Sequence, residues 1–157
     1  MWHNEDMSPL FTQDVFCSRQ QLEITKLHRL NVMFAEVLPA NNFYCEKFSE
    51  CTTPVQSFKQ FTDFPFTTKS ELVGREDSVS ARNRTWSDEN YVRFHQTSGT
   101  SGHPLQVWDT ENDWNWWMTC WKSIYSRAEL QPGEPVFVAA SFGPYIGFWS
   151  AFEGAVA

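Results

Sequence analysis

Apolar positions recur along this chain on two different periods, and the change of period divides it. From Arg19 to Leu38 the residues Leu22, Leu27, Leu30, Phe34, Val37 and Leu38 mostly keep helical spacing. Pro39 follows, so the pattern predicts one amphipathic helix that stops there. Residues 1–17 have no period and read as an irregular lead-in. Asn41-Asn42 predicts a turn, with Phe43 and Tyr44 docking aromatic rings after it. In Thr53-Pro54-Val55-Gln56 a capping residue precedes Pro at the first helical position, which predicts a short helix carrying Phe58 and Phe61 inward. Thr68 with Glu71 repeats the device and predicts a helix that gives out near Gly74. Residues 75–90 are polar and read as a surface loop.

From Tyr91 the period changes to two. Residues 91–96 and 105–108 read as strands paired around an intervening loop. Thr110 is placed to cap a long helix with Glu111 and Asp113 in its first turn, where the helix dipole favours acids. The stripe of that helix is Trp114, Trp117, Met118, Trp121, Ile124 and Tyr125, spaced as a core face. Gln131-Pro132-Gly133-Glu134 is the expected break. Residues 135–142, PVFVAASF, form an apolar run of the kind found in a strand covered on both faces. Residues 145–155 then read as a helix with small residues Gly147, Ser150, Ala151 and Gly154 at points of close approach. The expected fold class is α/β: a helical amino-terminal part over residues 19–90, then the first strands and helices of an α/β sandwich from 91 to 157, incomplete. The chain stops at Gly154-Ala155-Val156-Ala157, amid an apolar alternation, and is expected to be the front part of a longer protein.

Composition narrows the function classes. The 157 residues are 41% hydrophobic, enough for a real core, and 8 Trp with 14 Phe need large partner surfaces to bury against. Nineteen acidic against 12 basic residues give a formal charge of −7 without a Lys/Arg cluster, which argues against nucleic acid as partner. No apolar run approaches the roughly 20 residues of a membrane span, and the acidic amino terminus is unlike a signal peptide, so a soluble cytoplasmic protein without membrane partner is expected. Cys17, Cys45, Cys51 and Cys120 have no zinc-type spacing and read as reduced thiols packed as small hydrophobes; no metal ligands are assigned.

The chemistry concentrates in residues 97–104, TSGTSGHP. Gly99 and Gly102 permit backbone angles that let successive N–H groups line an anion-sized concavity. Thr97, Ser98, Thr100 and Ser101 add four hydroxyls that can donate to phosphate, and one could help hold magnesium. Only two residues separate the glycines and His103-Pro104 follows, which excludes the Walker pattern, and the dinucleotide pattern fails as well. Both of those loops run from strand to helix, whereas Pro104 and the alternation after it indicate strand–loop–strand. Composition alone leaves an ordinary Ser/Gly hairpin loop equally open. His95 reads as structural, and His103 as either a phosphate contact or an exposed loop residue.

Residues 97–104 resemble the TSGTTGxP phosphate loop of adenylate-forming enzymes, the acyl-CoA synthetase superfamily. Residues 64–72, FPFTTKSEL, are similar to the "LPFTTKxDL" segment of the phenylacetate–CoA ligase family, and residues 42–48, NFYCEKF, to its "NPFYREKF" stretch. The resemblance runs over about residues 19 to 157. It implies a two-step ligase: ATP and a small aromatic or other carboxylic acid give an acyl-adenylate and pyrophosphate, then coenzyme A attacks to give the thioester and AMP. It implies phosphate contacts, with magnesium, from Thr97, Ser98, Gly99, Thr100, Ser101, Gly102 and His103, many relatives having Lys or Arg at the last position. It also implies an acyl pocket beside Phe142, Gly143 and Tyr145 and leaves a homodimer of the full-length enzyme open. The family's adenine-binding segment, acidic contacts and catalytic lysine have no match; Lys69 and Lys122 fit none of them. No catalytic residue is therefore assigned, and the chain alone is expected to complete neither half-reaction. Two other readings remain: an adenylate-forming enzyme for another acid or acceptor, and a non-enzymatic α/β interaction module that keeps a glycine loop.

Overall fold

The computed structural model describes residues 18–73, 82–98 and 103–157. It is mixed: six helices and a two-stranded antiparallel sheet among the described residues, with contacts dividing into two units between Trp86 and Ser87.

The first unit is built on α1 (Arg19–Ala40), whose Ser18 cap accepts from the Gln21 N–H at 3.1 Å. The helix runs two residues past the expected stop and holds Pro39 in its last turn, at the cost of the hydrogen bond its missing N–H would have given the Ala35 carbonyl. Asn41 then joins it to α2 (Asn42–Lys47). Its Oδ1 accepts from Tyr44 N–H, and its Nδ2 donates to the carbonyls of Arg82 and Arg84 at 3.3 and 3.2 Å, so a nearly inaccessible side chain ties the end of the unit to its middle. Asn31 performs a similar service one helical face away: its amide exchanges hydrogen bonds of 2.8 and 2.6 Å with the carbonyl and N–H of Val55. That anchors a non-helical segment against α1 and satisfies backbone groups that burial would otherwise orphan.

The helix expected at Thr53 does not start there. Thr53-Pro54 is a cis peptide, Val55 is tied down by Asn31, and α3 (Phe58–Phe61) begins later with Ser57 as the cap that accepts from Gln60 N–H. α4 (Lys69–Val73) follows the expected device: the Glu71 carboxylate accepts from Thr68 N–H at 2.7 Å and pairs with Lys47, and these contacts, led by Lys47, hold it at about pKa 2. The expected end at Gly74 lies outside the described residues, as do the lead-in 1–17 and residues 75–81 of the surface loop. Phe34, Val55 and Phe64 form the core, with Leu27, Leu30, Leu38 and Phe48 packed on them and Phe34 stacked on Phe64 at 5.4 Å. Phe58 and Phe61 stay over a third exposed.

In the second unit a 3₁₀ turn leads into β1 (Tyr91–Gln96), which pairs with β2 (Gln106–Thr110) in the register His95↔Val107 and Arg93↔Asp109. Thr110 both ends β2 and caps α5 (Glu111–Arg127), in a reciprocal box in which Asp113 accepts from Thr110 N–H at 2.9 Å. α5 stops at Arg127, before the expected Gln131 break, because Glu129 turns to φ 60° and the Leu130 N–H returns to the Tyr125 carbonyl. Its stripe is narrower than expected. Trp114 is buried and Trp121 and Tyr125 half-buried, but Trp117 and Ile124 stand exposed.

Residues 135–142 form no strand. A covered strand needs neighbours for its N–H and C=O groups, and no described strand lies alongside it, so Phe137 is 91% exposed. After it, α6 (Ile146–Val156) packs against α5 through the expected small residues. Trp121 Nε1 donates to Ser150 Oγ at 2.9 Å, Tyr125 Oη donates to the Ala151 carbonyl at 2.8 Å, and Gly154 lies under the Trp121 side chain. Of the cysteines, Cys51 and Cys120 are half-buried free thiols as expected, while Cys45 is exposed and packs no core; Cys17 lies outside the described residues.

A Cβ on Gly154 would stand 2.4 Å from Trp121 Cβ, while one on Gly147 meets nothing within 4 Å. Gly154→Ala is expected to cost about 1–3 kcal/mol despite its better helix propensity, whereas Gly147→Ala costs nothing measurable; urea titration followed by Trp fluorescence compares them. In the first unit, Asn41→Ala removes a helix cap and the donor that reaches the part-buried carbonyls of Arg82 and Arg84. It is expected to cost about 2–3 kcal/mol by the same measurement, and a loss below the error of the titration would contradict the tie described above.

Candidate functional site

The loop of residues 97–104 leaves the sheet through a closed neck. Thr97 N–H donates to the Leu105 carbonyl at 3.0 Å, and Leu105 N–H donates to Thr97 Oγ1 at 3.0 Å. The Thr97 hydroxyl thus uses an oxygen lone pair on the neck and keeps its proton available to donate. The antiparallel pair on either side confirms the strand–loop–strand arrangement that separates this loop from those that open a helix. Thr97, Ser98 and His103 are exposed; Gly99, Thr100, Ser101 and Gly102 lie outside the described residues.

One hydrogen bond joins the root of this loop to the expected acyl turn. Gln96 N–H, the last of β1, donates to the Pro144 carbonyl at 2.8 Å. Around that point Gly143 accepts from Trp149 Nε1 at 2.9 Å, and Phe142 meets Trp149 and Phe152 edge-on at 4.9 and 5.4 Å. Tyr145 immediately precedes α6 and is partly exposed, and a Cβ on Gly143 would press its ring at 3.3 Å. The fold therefore brings Phe142, Gly143 and Tyr145 together and sets them beside the start of the loop. Trp149 and Phe152 belong to the same cluster, and the sequence reading missed them although both lie on the helix that follows the turn.

Under the neck, the inner face of the hairpin is polar and aromatic. Arg93 Nη2 reaches the Glu153 carboxylate at 3.1 Å, its guanidinium lies 5.1 Å from the Trp114 ring, and Trp114 Nε1 donates to Glu153 Oε2 at 2.7 Å. His95 stacks on Trp114 at 5.4 Å and faces Asp109 across the strands, Nε2 to Oδ2 3.6 Å, with both residues under a tenth exposed. That gap is too long for a hydrogen bond. Burial lowers the His95 pKa, Arg93 adding to the fall and Glu153 opposing it. Burial and then Asp113 push the Asp109 carboxyl from 3.8 to about 6, against a hydrogen bond from Trp117. His95 is thus buried beneath the neck; Asp109 and Glu153 were missed. The signal for Asp109 was its parity, an acid on the same strand face as Val107, the residue opposite buried His95.

No family model matches the chain. The fold is that of CoA ligases. It superposes on 2-hydroxyisobutyryl-CoA ligase, in complex with 2-HIB-AMP and CoA in the thioesterification state, with a TM-score of 0.79 and 26% identity over 88% of this chain and 30% of that one. An open conformation of the same ligase gives 0.78 over 88% of this chain and 33% of that one, at 23% identity. In sequence the chain resembles phenylacetate-coenzyme A ligase of Pseudomonas putida, 29% identical over 99% of this chain, and that of Escherichia coli (strain K12), 27% identical over 97%. It spans about a third of the length of these relatives, 35% and 34%. The resemblance to CoA ligases expected from the loop and its flanking segments is thus found in both sequence and fold.

Asp109 binds a proton more tightly folded than unfolded. Between its unfolded value of 3.8 and its folded value of about 6 the folded state holds the extra proton, so the ionised carboxylate lowers stability as pH rises through that window. Asp109→Asn, a neutral isostere, is expected to raise stability by about 1–3 kcal/mol at pH 8 and by progressively less towards pH 4. Urea titrations of both proteins across that range provide the check; a gain independent of pH contradicts the assignment.

Proposed function

We propose that this chain is the part of an acid–CoA ligase that grips the ATP phosphates and begins the acyl pocket. The observation that carries the reading is the hydrogen bond from Gln96, at the root of the glycine loop, to Pro144, in the aromatic turn. A loop that holds pyrophosphate as it leaves and a turn that holds the acid as it attacks the α-phosphate must keep a fixed separation, and a shared backbone bond provides that. Thr97, Ser98, Gly99, Thr100, Ser101, Gly102 and His103 supply donors to the β and γ phosphates as charge moves onto the leaving group. Magnesium enters as part of the MgATP substrate, and coenzyme A takes the acyl group in the second step. His103 contributes less fixed positive charge than a lysine would.

The acid is small and aromatic in this reading. Phe142, Trp149 and Phe152 offer ring edges and faces rather than hydroxyl partners, which suits an aryl group better than the hydroxy acid of the 2-hydroxyisobutyryl ligase. The groups that complete either half-reaction are not among these residues, so the chain binds without turning over.

Calorimetry of the 157-residue chain with MgATP, beside Gly99→Val, tests the reading. The expected result is measurable binding that the variant weakens at least tenfold, with no ATP–pyrophosphate exchange by either. Equal heats from both proteins favour the interaction module instead, and robust exchange by this chain alone would show that its catalytic groups have been misjudged.

A further inference from the structure

We propose that His95 and Asp109 are a positioning pair for the loop of residues 97–104: one proton held between them braces β1 against β2 just below the loop's neck, so that anion binding above and proton binding below are coupled. The inference rests on the phosphate-loop reading for its purpose, although the brace itself is a property of the hairpin.

Its first support is the accounting of buried polar atoms. Both ring nitrogens of His95 and Asp109 Oδ2 are buried without a hydrogen-bond partner, in a residue pair 3% and 6% exposed, and Nε2 and Oδ2 face each other at 3.6 Å. Buried polar groups in folded proteins are nearly always paired, and three such atoms in two adjacent side chains are a concentration that calls for a cause. The second is position. His95 is paired with Val107 and Asp109 with Arg93, so the two side chains meet diagonally across the ladder. Two residues beyond His95 lies Thr97, and two before Val107 lies Leu105, which together close the neck.

A proton between Nε2 and Oδ2 turns a 3.6 Å approach into a charge-assisted hydrogen bond of about 2.8 Å, drawing the strands together at the neck's base. The surrounding charges decide whether such a proton is held. Arg93 on β1 opposes it, while Asp113 on α5 and Glu153 on α6 favour it; Glu153 is itself partly neutralised by its pairing with Arg93. Trp114 and Trp117 of α5 supply the remaining walls. The balance leaves the pair poised, and a polyphosphate seated on the loop adds negative charge that raises its affinity for the proton. By linkage the proton raises the affinity for the anion equally.

The test uses the 157-residue chain with ¹⁵N-labelled histidine, compared with Asp109→Asn and His95→Gln. Ring chemical shifts are followed from pH 4.5 to 8.5, with amide exchange at Thr97 and Leu105 and with binding of magnesium pyrophosphate at pH 6 and pH 8. The pair predicts a His95 ring titration that Asp109→Asn displaces, neck amides that exchange about threefold or more faster in either variant at pH 5, where the native pair holds its proton, and pyrophosphate binding that weakens between pH 6 and 8 several-fold more in the native chain than in Asp109→Asn. Taking the difference from the variant removes the ligand's own titration. A His95 ring that titrates identically in Asp109→Asn, or neck amides unchanged in both variants, overturns the proposal. If the native chain binds no pyrophosphate at any pH, the coupling and the phosphate-loop reading both fall, while the ring titration and neck exchange still decide whether the brace exists.

Discussion

The second unit hangs on Trp114. Its ring is covered by the Arg93 guanidinium and the His95 imidazole, both from β1, and its indole N–H is fixed by Glu153 from α6. One side chain of α5 thereby holds the hairpin and the last helix at once. Among the described residues of this unit it is the one buried hydrophobic side chain, so the interior is organised by directional contacts with a charged pair and an imidazole rather than by apolar volume. Such an interior specifies geometry well, since each partner has few alternative places to go. Everything proposed for the loop depends on it: the neck at Thr97 and Leu105 is only as fixed as the two strands beneath it.

The same knot explains how the root of the 97–104 loop and the aromatic turn come to be neighbours. Arg93 and His95 face α5 and α6 from one side of β1, which turns the final N–H of that strand, on Gln96, to the Pro144 carbonyl at the entrance to α6. The turn is fixed from α6 as well by Trp149, whose N–H returns to Gly143. The chain entering α6 is thus held at two adjacent carbonyls, between the aromatic side chains of Phe142 and Tyr145, without a strand to support it.

Much of this was legible in the residues. Alternation gave both strands, the Thr110–Asp113 spacing gave the start of α5, and the small residues of α6 marked where Trp121 and Tyr125 approach. The elements that went astray share a cause, in that a distant partner outweighed a local signal. Thr53-Pro54 has the chemistry of a helix start, but Asn31 of α1 holds Val55 in extended form, and the cap passes to Ser57. Residues 135–142 have the composition of a buried strand, and composition cannot supply the neighbouring strands that would make one. Asp109 and Glu153 escaped notice because neither belongs to a spacing motif; their partners, His95 and Trp114, lie on other elements. The loop itself was recognisable from its glycines and hydroxyls, yet its neck bond through the Thr97 hydroxyl required coordinates.

The central claim is that residues 97–104 bind the phosphates of a nucleotide. The most direct measurement is residue-resolved: amide chemical shifts of the ¹⁵N-labelled chain titrated with MgATP. Saturable shifts at Thr97, Ser98 and His103, with smaller ones at Gln96 and the Gly143–Tyr145 turn and none in α1, are the predicted result. Saturable shifts elsewhere that leave these amides untouched, or no shifts at millimolar MgATP, would contradict it.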